Sequence, residues 1–279
     1  MSNYLTEENS EAVVIDRLKA CDDARFRTIM IAAIRHLHAF VKEVEPSQEE
    51  WEAAIAFLTR TGQISDDTRQ EFILLSDVLG VSMLVDAINH RRPSGATETT
   101  VLGPFHVDGA PELPMDADLC QDGKGESCLY KGRVLDLEGT PISGAVLDVW
   151  SDNAEGYYDV QQPDLQPAMN MRGRLTTGAD GRYSFKTIRP VSYPIPTDGP
   201  VGQMLAGMGR HPNRPGHIHF IVSAPGFKTT VTHLFDSRDP GLHDDCVFGV
   251  KQSLIVDFRP EPSDEAQWRA DYDFVLDAA

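Results

Sequence analysis

The chain has 279 residues, of which 41% are hydrophobic and 24% are charged, and these proportions are typical of a soluble globular protein. The formal net charge is −18 and no block of Lys or Arg interrupts it, which argues against a nucleic-acid partner. No apolar run approaches the roughly 20 residues of a membrane span, so we expect no membrane association. The first eight residues are polar and acidic, unlike a secretory signal, and this predicts a cytoplasmic location.

The first third of the chain predicts helices. Apolar residues recur at helical spacing through 29–44, and Pro46 closes that segment. Ser47 and Glu50 then fit a capping box, in which each side chain bonds to the other residue's backbone N–H. The helical pattern continues to about residue 90, and we place a helical N-terminal domain at 1–95.

From residue 96 onward, Gly, Pro and Asp punctuate short β-branched or aromatic runs, which is typical of a β-sandwich or barrel. We predict a mainly β fold in which an antiparallel β-sandwich domain at 96–279 carries the functional site. The irregular segments 151–171 and 189–216 are too long for plain turns, and we expect them at the rim of the sandwich. Strands are predicted at 128–135, 146–150, 172–177, 183–188, 217–223, 229–235, 252–258 and 272–276.

The clearest metal-binding signal is the pair His217 and His219 in one predicted strand. Side chains alternate along a strand, so both imidazoles face the same side, whereas Ile218, Phe220 and Val222 face the other. Two imidazoles on one face can chelate a metal, but an H-x-H pair also arises by chance and needs further donors. The four cysteines lie far apart without C-x-x-C spacing, which favours reduced thiols over a zinc–thiolate site.

Further metal donors are expected in the two irregular segments. The first contains Tyr157, Tyr158 and Asp159, and the second contains Tyr193. A phenolate is a hard anionic oxygen donor, so two imidazoles with two phenolates would favour iron(III) over Zn²⁺. A tyrosine near a strand end is, however, more often a core or rim residue with its hydroxyl in water.

An ordered set of segments between about Leu74 and Ser253 resembles the intradiol aromatic-ring-cleaving dioxygenases, the non-haem iron(III) enzymes of the catechol 1,2-dioxygenase group. The set covers most of the chain and is far more specific than any one of its members. It consists of Thr100–Phe105, Leu147–Trp150, Gly156–Asp159, Gly181–Tyr183 and Arg214–Phe220.

The resemblance implies one iron(III) per subunit. The family places one ligand tyrosine eight residues after the tryptophan, which is Tyr158, and the other 24 residues before the first histidine, which is Tyr193. The implied ligands are therefore Tyr158, Tyr193, His217 and His219, with Tyr157 pointing away. Tyr193 is also expected to be catalytic, because the corresponding tyrosine leaves the iron and takes a proton when the substrate binds. Arg214 stands three residues before the first histidine and is the implied stabiliser of anionic oxygen, although an isolated arginine would by default form a rim salt bridge.

Two positions and the downstream segment Asp245–Lys251 resemble the hydroxyquinol 1,2-dioxygenase branch. The family's catechol-cleaving members usually carry a glutamine 14 residues after the second ligand histidine, and this chain has His233 there. The segment Leu74–Asp77 resembles one that lines the ring pocket in that branch, where Asp77 could meet an additional ring hydroxyl. His233 could instead be a hydrogen-bonded strand residue, and Asp77 a helix cap. The implied substrate-binding residues are Leu74, Asp77, Val101, Leu102, Gly103, Pro104 and His233.

The resemblance implies that hydroxyquinol (benzene-1,2,4-triol) is cleaved between its ortho hydroxyls with O2. The product would be 3-hydroxy-cis,cis-muconate, or maleylacetate, in aromatic catabolism. A catechol or chlorocatechol 1,2-dioxygenase and a non-catalytic, metal-stabilised β-sandwich binding protein are the alternatives. The family also implies a homodimer formed through the N-terminal helices, and the apolar stripe at 29–44 would suit such pairing, although packing within the chain explains it equally well.

Overall fold

A computed structural model of the chain describes residues 4–66, 69–263 and 265–279. Packing divides the chain into two compact units, Met1–Arg60 and Thr61–Ala279. The predicted domain division after residue 95 follows fold type rather than packing, and it stays a prediction.

The N-terminal region is helical, as predicted. The helix at Gln48–Ile64 begins with the predicted capping box: the Ser47 N–H donates to Glu50 Oε2 at 2.8 Å, and the Glu50 N–H donates to Ser47 Oγ at 3.2 Å. These two bonds satisfy N–H groups that the first helical turn leaves without a partner. The helices in the described parts of the chain are α1 Ser10–Asp16, α2 Ala24–Val44, α3 Gln48–Ile64, α4 Glu71–Val78, α5 Val81–Asn89 and α6 Pro200–Gly207.

Helix α2 presents much of its apolar surface to solvent within the single chain. None of its residues is buried, and Leu37 and Phe40 are 62% and 59% exposed. The side chains at four further positions of this helix, Phe26, Ile29, Val41 and Val44, are also exposed. No helix among the described residues is long and apolar enough to cross a membrane.

The strands in the described residues after α5 are β1 Ser127–Leu135, β2 Val146–Trp150, β3 Arg172–Thr176, β4 Arg182–Ile188, β5 Tyr193–Pro194, β6 Asn213–Arg214, β7 His217–Ser223, β8 Thr230–Asp236, β9 Ile255–Val256, β10 Arg259–Pro260, β11 Trp268–Asp271 and β12 Phe274–Val275. They form two five-stranded sheets and a two-stranded ribbon. The first sheet has the order β10-β11-β1-β12, with β4 paired to β1, and the second has the order β3-β2-β7-β8-β9. The ribbon pairs β5 with β6.

Side chains from both sheets meet in one apolar core, which confirms the predicted β-sandwich. The ring of Phe220 on β7 lies 6.2 Å from that of Phe185 on β4 and 4.8 Å from that of Phe274 on β12. All three are fully buried, and each such side chain contributes about 1.5–3 kcal/mol by leaving water. Most strand pairs are antiparallel as expected, but β1 pairs parallel with β11 and β12, and β8 pairs parallel with β9.

Strand β7 lies between β2 and β8 and carries the predicted H-x-H pair. Its register places His219 opposite Trp150 on β2 and opposite His233 on β8. Since directly opposed residues share a face, this pairing puts the two histidines and the tryptophan on the same side of the sheet. The ribbon places Tyr193 directly opposite Arg214. These pairings bring His219 next to His233 and Tyr193 next to Arg214, four of the predicted site residues.

Candidate active site

The face of β7 opposite the core forms a buried cluster of histidines. His217, His219 and His233 are each at most 2% exposed, and one ring nitrogen from each lies within 4.8 Å of the others. Nδ1 of His219 and both ring nitrogens of His233 have no hydrogen-bond partner among the described residues. Buried imidazoles without partners are unusual in a folded protein, and a metal or ligand would supply the missing interactions.

Two tyrosine hydroxyls reach this cluster from the irregular segments. Tyr158 Oη lies 2.8 Å from His219 Nε2 and 3.5 Å from Tyr193 Oη. Tyr158 is fully buried and Tyr193 is 7% exposed, whereas Tyr157 is 45% exposed and points away, as the sequence predicted. Gly156 makes this convergence possible: its φ is +81°, and a Cβ there would lie 2.9 Å from the Cβ of Tyr193.

The donor set suits a hard, highly charged cation. His217 Nδ1 lies 2.7 Å from the carbonyl oxygen of Pro215, so Nδ1 carries the proton and Nε2 offers its lone pair to the site. Nε2 of His219 is likewise directed at the Tyr158 hydroxyl. Two imidazole nitrogens and two phenol oxygens thus converge in a space closed to solvent, and phenolate oxygen favours a trivalent cation.

Burial sets the protonation of the donors. It lowers the pKa of His217 to about 3, with the positive charge of Arg214 acting in the same direction, and it lowers the pKa of His219 and His233 well below the ordinary value. The three imidazoles are therefore neutral at pH 7 and can donate to a metal. Burial raises the pKa of the Tyr158 and Tyr193 hydroxyls, so each phenol keeps its proton at neutral pH until a cation compensates its charge.

Arg214 brings a permanent positive charge to the same cluster. Its Nη1 lies 3.1 Å from His217 Nε2, and its Nε and Nη2 donate to Oδ1 and Oδ2 of Asp245 at 3.2 and 3.3 Å. Burial opposes the charge, but Asp245 and the tyrosines outweigh it and raise the pKa of the guanidinium. The default expectation of an exposed rim salt bridge does not apply here, because both partners of the ion pair are buried.

Aromatic rings hold the donors in place. The ring of Phe105 stacks on Tyr158 with centroids 4.6 Å apart, and Trp150 stacks on His219 at 4.7 Å. His106 meets the edge of Trp150 at 4.7 Å. Stacked rings restrict rotation about χ2 of the residues that they cover, so the donor atoms point in fixed directions.

A cavity of about 80 Å³ lies beside the cluster, and three predicted substrate-binding residues, Leu74, Asp77 and Pro104, line it together with Phe105. Asp77 lies in the last turn of α4 and is not a helix N-cap. Desolvation raises the pKa of its carboxyl group, although the hydroxyl of Ser82 and the charge of Arg214 lower it. The Asp77 carboxyl group therefore lies close enough to Arg214 for the guanidinium charge to affect its pKa.

The other predicted pocket residues lie elsewhere around the cluster. Val101 and Leu102 line a separate open depression of about 470 Å³ with Val85 of α5. Gly103 packs against the ring of His219, where a Cβ would lie 3.1 Å from Cε1. Their roles as substrate contacts stay predictions.

Sequence reasoning missed Asp245, Phe105 and Asp152. The acidic segment around Asp245 was recognised as part of a motif, but nothing local showed that this carboxylate pairs with an arginine 31 residues away. Asp152 is fully buried and neither carboxylate oxygen has a partner among the described residues, so burial raises its pKa well above the ordinary value.

Comparison with known proteins places this site in a family. The family model described as "Dioxygenase" matches residues 101–278, and that described as "Catechol dioxygenase N terminus" matches residues 23–97. The chain belongs to the intradiol ring-cleavage dioxygenases, an enzyme family, and this confirms the predicted membership.

Individual relatives match along almost the whole length. A hydroxyquinol 1,2-dioxygenase of a Rhizobium species is 58% identical over 98% of this chain and 96% of its own. A 6-chlorohydroxyquinol 1,2-dioxygenase of Cupriavidus pinatubonensis is 50% identical, with 97% of each chain covered. The crystal structure of a Pseudomonas putida hydroxyquinol 1,2-dioxygenase superposes with a TM-score of 0.93 at 48% identity and covers 98% of this chain and 99% of that one.

Proposed function

We propose that this enzyme cleaves hydroxyquinol between its two ortho hydroxyls with O2. The product would be 3-hydroxy-cis,cis-muconate, which is a tautomer of maleylacetate, in the catabolism of aromatic compounds. The observation that carries the proposal is the convergence of two tyrosine hydroxyls and two imidazoles beside a cavity of about 80 Å³, in a chain 58% identical to a hydroxyquinol 1,2-dioxygenase.

The residues that would hold one iron(III) per subunit are Tyr158, Tyr193, His217 and His219. Their donor atoms already converge. The Pro215 carbonyl contacts Nδ1 of His217 and the Trp150 ring stacks on His219, and these contacts hold the two imidazoles in orientation. When bound, iron(III) supplies a Lewis acid that favours the ionised diol and accepts electron density from it.

Tyr193 is suited to receive a proton from the substrate. It lies on the short β5 strand, whereas Tyr158 is held by the stacked Phe105 ring and by its backbone N–H, which donates to Gln161 Oε1 at 2.9 Å. Tyr193 is therefore the less constrained of the two phenols. Burial raises the pKa of its hydroxyl, so its oxygen holds a proton once it is no longer held as an anion.

Arg214 would stabilise negative charge that develops on the substrate oxygens. Its charge is permanent, it is 5% exposed, and no bulk water screens it. A positive charge directed at the reacting oxygens stabilises negative charge more strongly in a buried site than at the surface.

Asp77 and His233 would select the third hydroxyl of the ring. Asp77 lies on the wall of the cavity together with Leu74 and Pro104, and its half-buried carboxyl group could accept a hydrogen bond from a substrate hydroxyl there. His233 is neutral and can donate or accept a hydrogen bond. A site built to bond a hydroxyl rejects an analogue that lacks it, because its own polar groups are then left unpaired.

Steady-state kinetics with hydroxyquinol and catechol tests this assignment. We expect kcat/KM to favour hydroxyquinol by more than about 10-fold, and Asp77→Asn to remove most of that preference. Asp257→Asn, a change of an exposed carboxylate, is the matched control and should leave the preference unchanged. Equal or better turnover of catechol or chlorocatechol by the wild-type enzyme would contradict the assignment and support the alternative substrates.

The same proposal includes a cytoplasmic homodimer that is paired through α2. The exposed apolar side chains of that helix are what a second copy would cover. Gel filtration of wild-type protein should give the mass of a dimer, and Leu37→Glu should give a monomer, whereas the polar control Lys42→Glu should remain dimeric. A monomer mass for wild-type protein would reject the dimer.

A further inference from the structure

We propose that the turn Asp245–Gly249 is the device that aims the Arg214 guanidinium, with Asp245 as a positioning residue for the reaction. This inference rests on the role proposed above for Arg214. Asp245 lies in the segment between β8 and β9 and is not among the residues that the sequence indicated for the site.

The contacts fix the guanidinium from two sides. Both carboxylate oxygens of Asp245 accept hydrogen bonds from Arg214, and the side chains of the pair are 2% and 5% exposed. Such two-point pairing holds the plane of the guanidinium as well as its position. Nη1, the nitrogen that Asp245 does not engage, is thereby directed at the metal-donor cluster, 3.1 Å from His217 Nε2.

Backbone N–H groups of this turn hold the Asp245 carboxylate in place. The N–H of Gly249 donates to Asp245 Oδ2 at 2.8 Å, and that of Val247 donates to Oδ1 at 3.3 Å. The Cys246 N–H donates to the carbonyl of Asn213, the residue before Arg214, at 3.3 Å. The arginine and its carboxylate are therefore held by one continuous set of backbone contacts.

Gly249 leaves the space that the guanidinium fills. A Cβ at this position would lie 2.7 Å from Arg214 Nη2 and 3.1 Å from Asp245 Oδ2. The φ of Gly249 lies outside the left-handed region that favours glycine, so the obstacle to alanine is the space that its Cβ would occupy. Because the clashing atom is the far end of a flexible side chain, Gly249→Ala should move the guanidinium with little loss of folding stability.

Two variants with matched controls test the proposal. Gly249→Ala is compared with Gly207→Ala, where a Cβ would meet nothing within 4 Å. Asp245→Asn is compared with Asp236→Asn, which removes another buried carboxylate paired to an arginine, at 2.6 Å from Arg189 Nε. We expect Gly249→Ala and Asp245→Asn to lower kcat on the order of 10- to 100-fold with KM changed less than about threefold, and the controls to leave kcat unchanged.

A second measurement uses the metal-free protein and needs no turnover. In ¹⁵N–¹H spectra, the Arg214 Nε–H, assigned with Arg214→Lys, should be protected from solvent exchange in wild type and should lose that protection in Asp245→Asn and shift in Gly249→Ala. An unchanged Nε–H signal and unchanged kcat in Gly249→Ala would overturn the proposal. The proposal would also fail if Asp245→Asn lowered kcat by the same factor in an Arg214→Ala background as in wild type. A residue that acts by positioning Arg214 has no guanidinium to position in that background. If wild-type enzyme fails to cleave hydroxyquinol while the Nε–H responds as expected, the proposed function fails and the positioning stands.

Discussion

The two faces of β7 are equally buried but chemically opposite. Phe220 and Val222 on one face are 0% exposed and pack in the apolar core between the sheets. His217 and His219 on the other face are 0% and 2% exposed, and the cluster around them leaves several polar atoms without partners. Burial of polar groups without partners opposes folding, so the histidine face is maintained by function, whereas the apolar face stabilises the sandwich.

The largest expected effect on activity comes from a change in the metal-donor side chains at the histidine face of β7. Tyr158→Phe removes one hydroxyl from the cluster and leaves the Phe105 stacking intact, so the protein should fold. We expect the visible ligand-to-metal absorption band after iron(III) loading to weaken and shift, because Tyr193 is then the one assigned phenolate donor, and kcat to fall at least about 1,000-fold. Tyr157→Phe, at the exposed neighbouring position, should behave as wild type. A Tyr158→Phe/Tyr193→Phe double variant that kept its band would contradict the donor assignment.

Phe220→Ala tests the opposite face of the same strand. Removal of this fully buried ring should lower the free energy of unfolding by about 3–5 kcal/mol in chemical denaturation, because it leaves a cavity between the sheets. Protein that remains folded should still show the visible band. Leu137→Ala, at a position 39% exposed, should cost less than about 1 kcal/mol. A Phe220→Ala variant that lost metal but not stability would break the distinction between the two faces.

Acid should lower the folding stability of the metal-free protein through the buried histidines of this face. In the metal-free protein the folded state keeps His217 neutral down to about pH 3, whereas the unfolded chain protonates it near pH 6.5. The unfolded state therefore binds more protons in this window, and stability should fall as the pH falls, by up to about 1.4 kcal/mol per pH unit for each such histidine. Denaturation between pH 6.5 and 5 measures this slope, and an Asp152→Asn background removes the opposing contribution of a buried carboxyl group whose pKa is raised well above the ordinary value. His233→Gln should reduce it, and a flat profile would contradict the assigned neutral imidazoles.

The smallest expected effect concerns substrate choice. His233→Gln places an amide where the family's catechol-cleaving members usually carry glutamine, so we expect the ratio of kcat/KM for hydroxyquinol to that for catechol to fall about three- to tenfold. The exposed control His243→Gln should leave the ratio unchanged. An unchanged ratio in His233→Gln would limit His233 to a structural role in the strand.

Local patterns were enough to predict the elements of both faces. Alternation in β7 separated His217 and His219 from Phe220, and a capping box located the start of α3. The two tyrosines converge as the family spacing implied. Pairings that join distant parts of the chain were not predictable, because no local pattern encodes them: the parallel pairing of β1 with β11, and the contact of Asp245 with Arg214, depend on the assembled fold.

Product analysis under ¹⁸O2 tests the central claim most directly. With hydroxyquinol as substrate, the account predicts one O2 consumed per ring and both ¹⁸O atoms in 3-hydroxy-cis,cis-muconate, with cleavage between the two ortho-hydroxylated carbons. Iron-loaded protein that consumed no O2, or that gave a product opened outside the diol carbons, would contradict the claim.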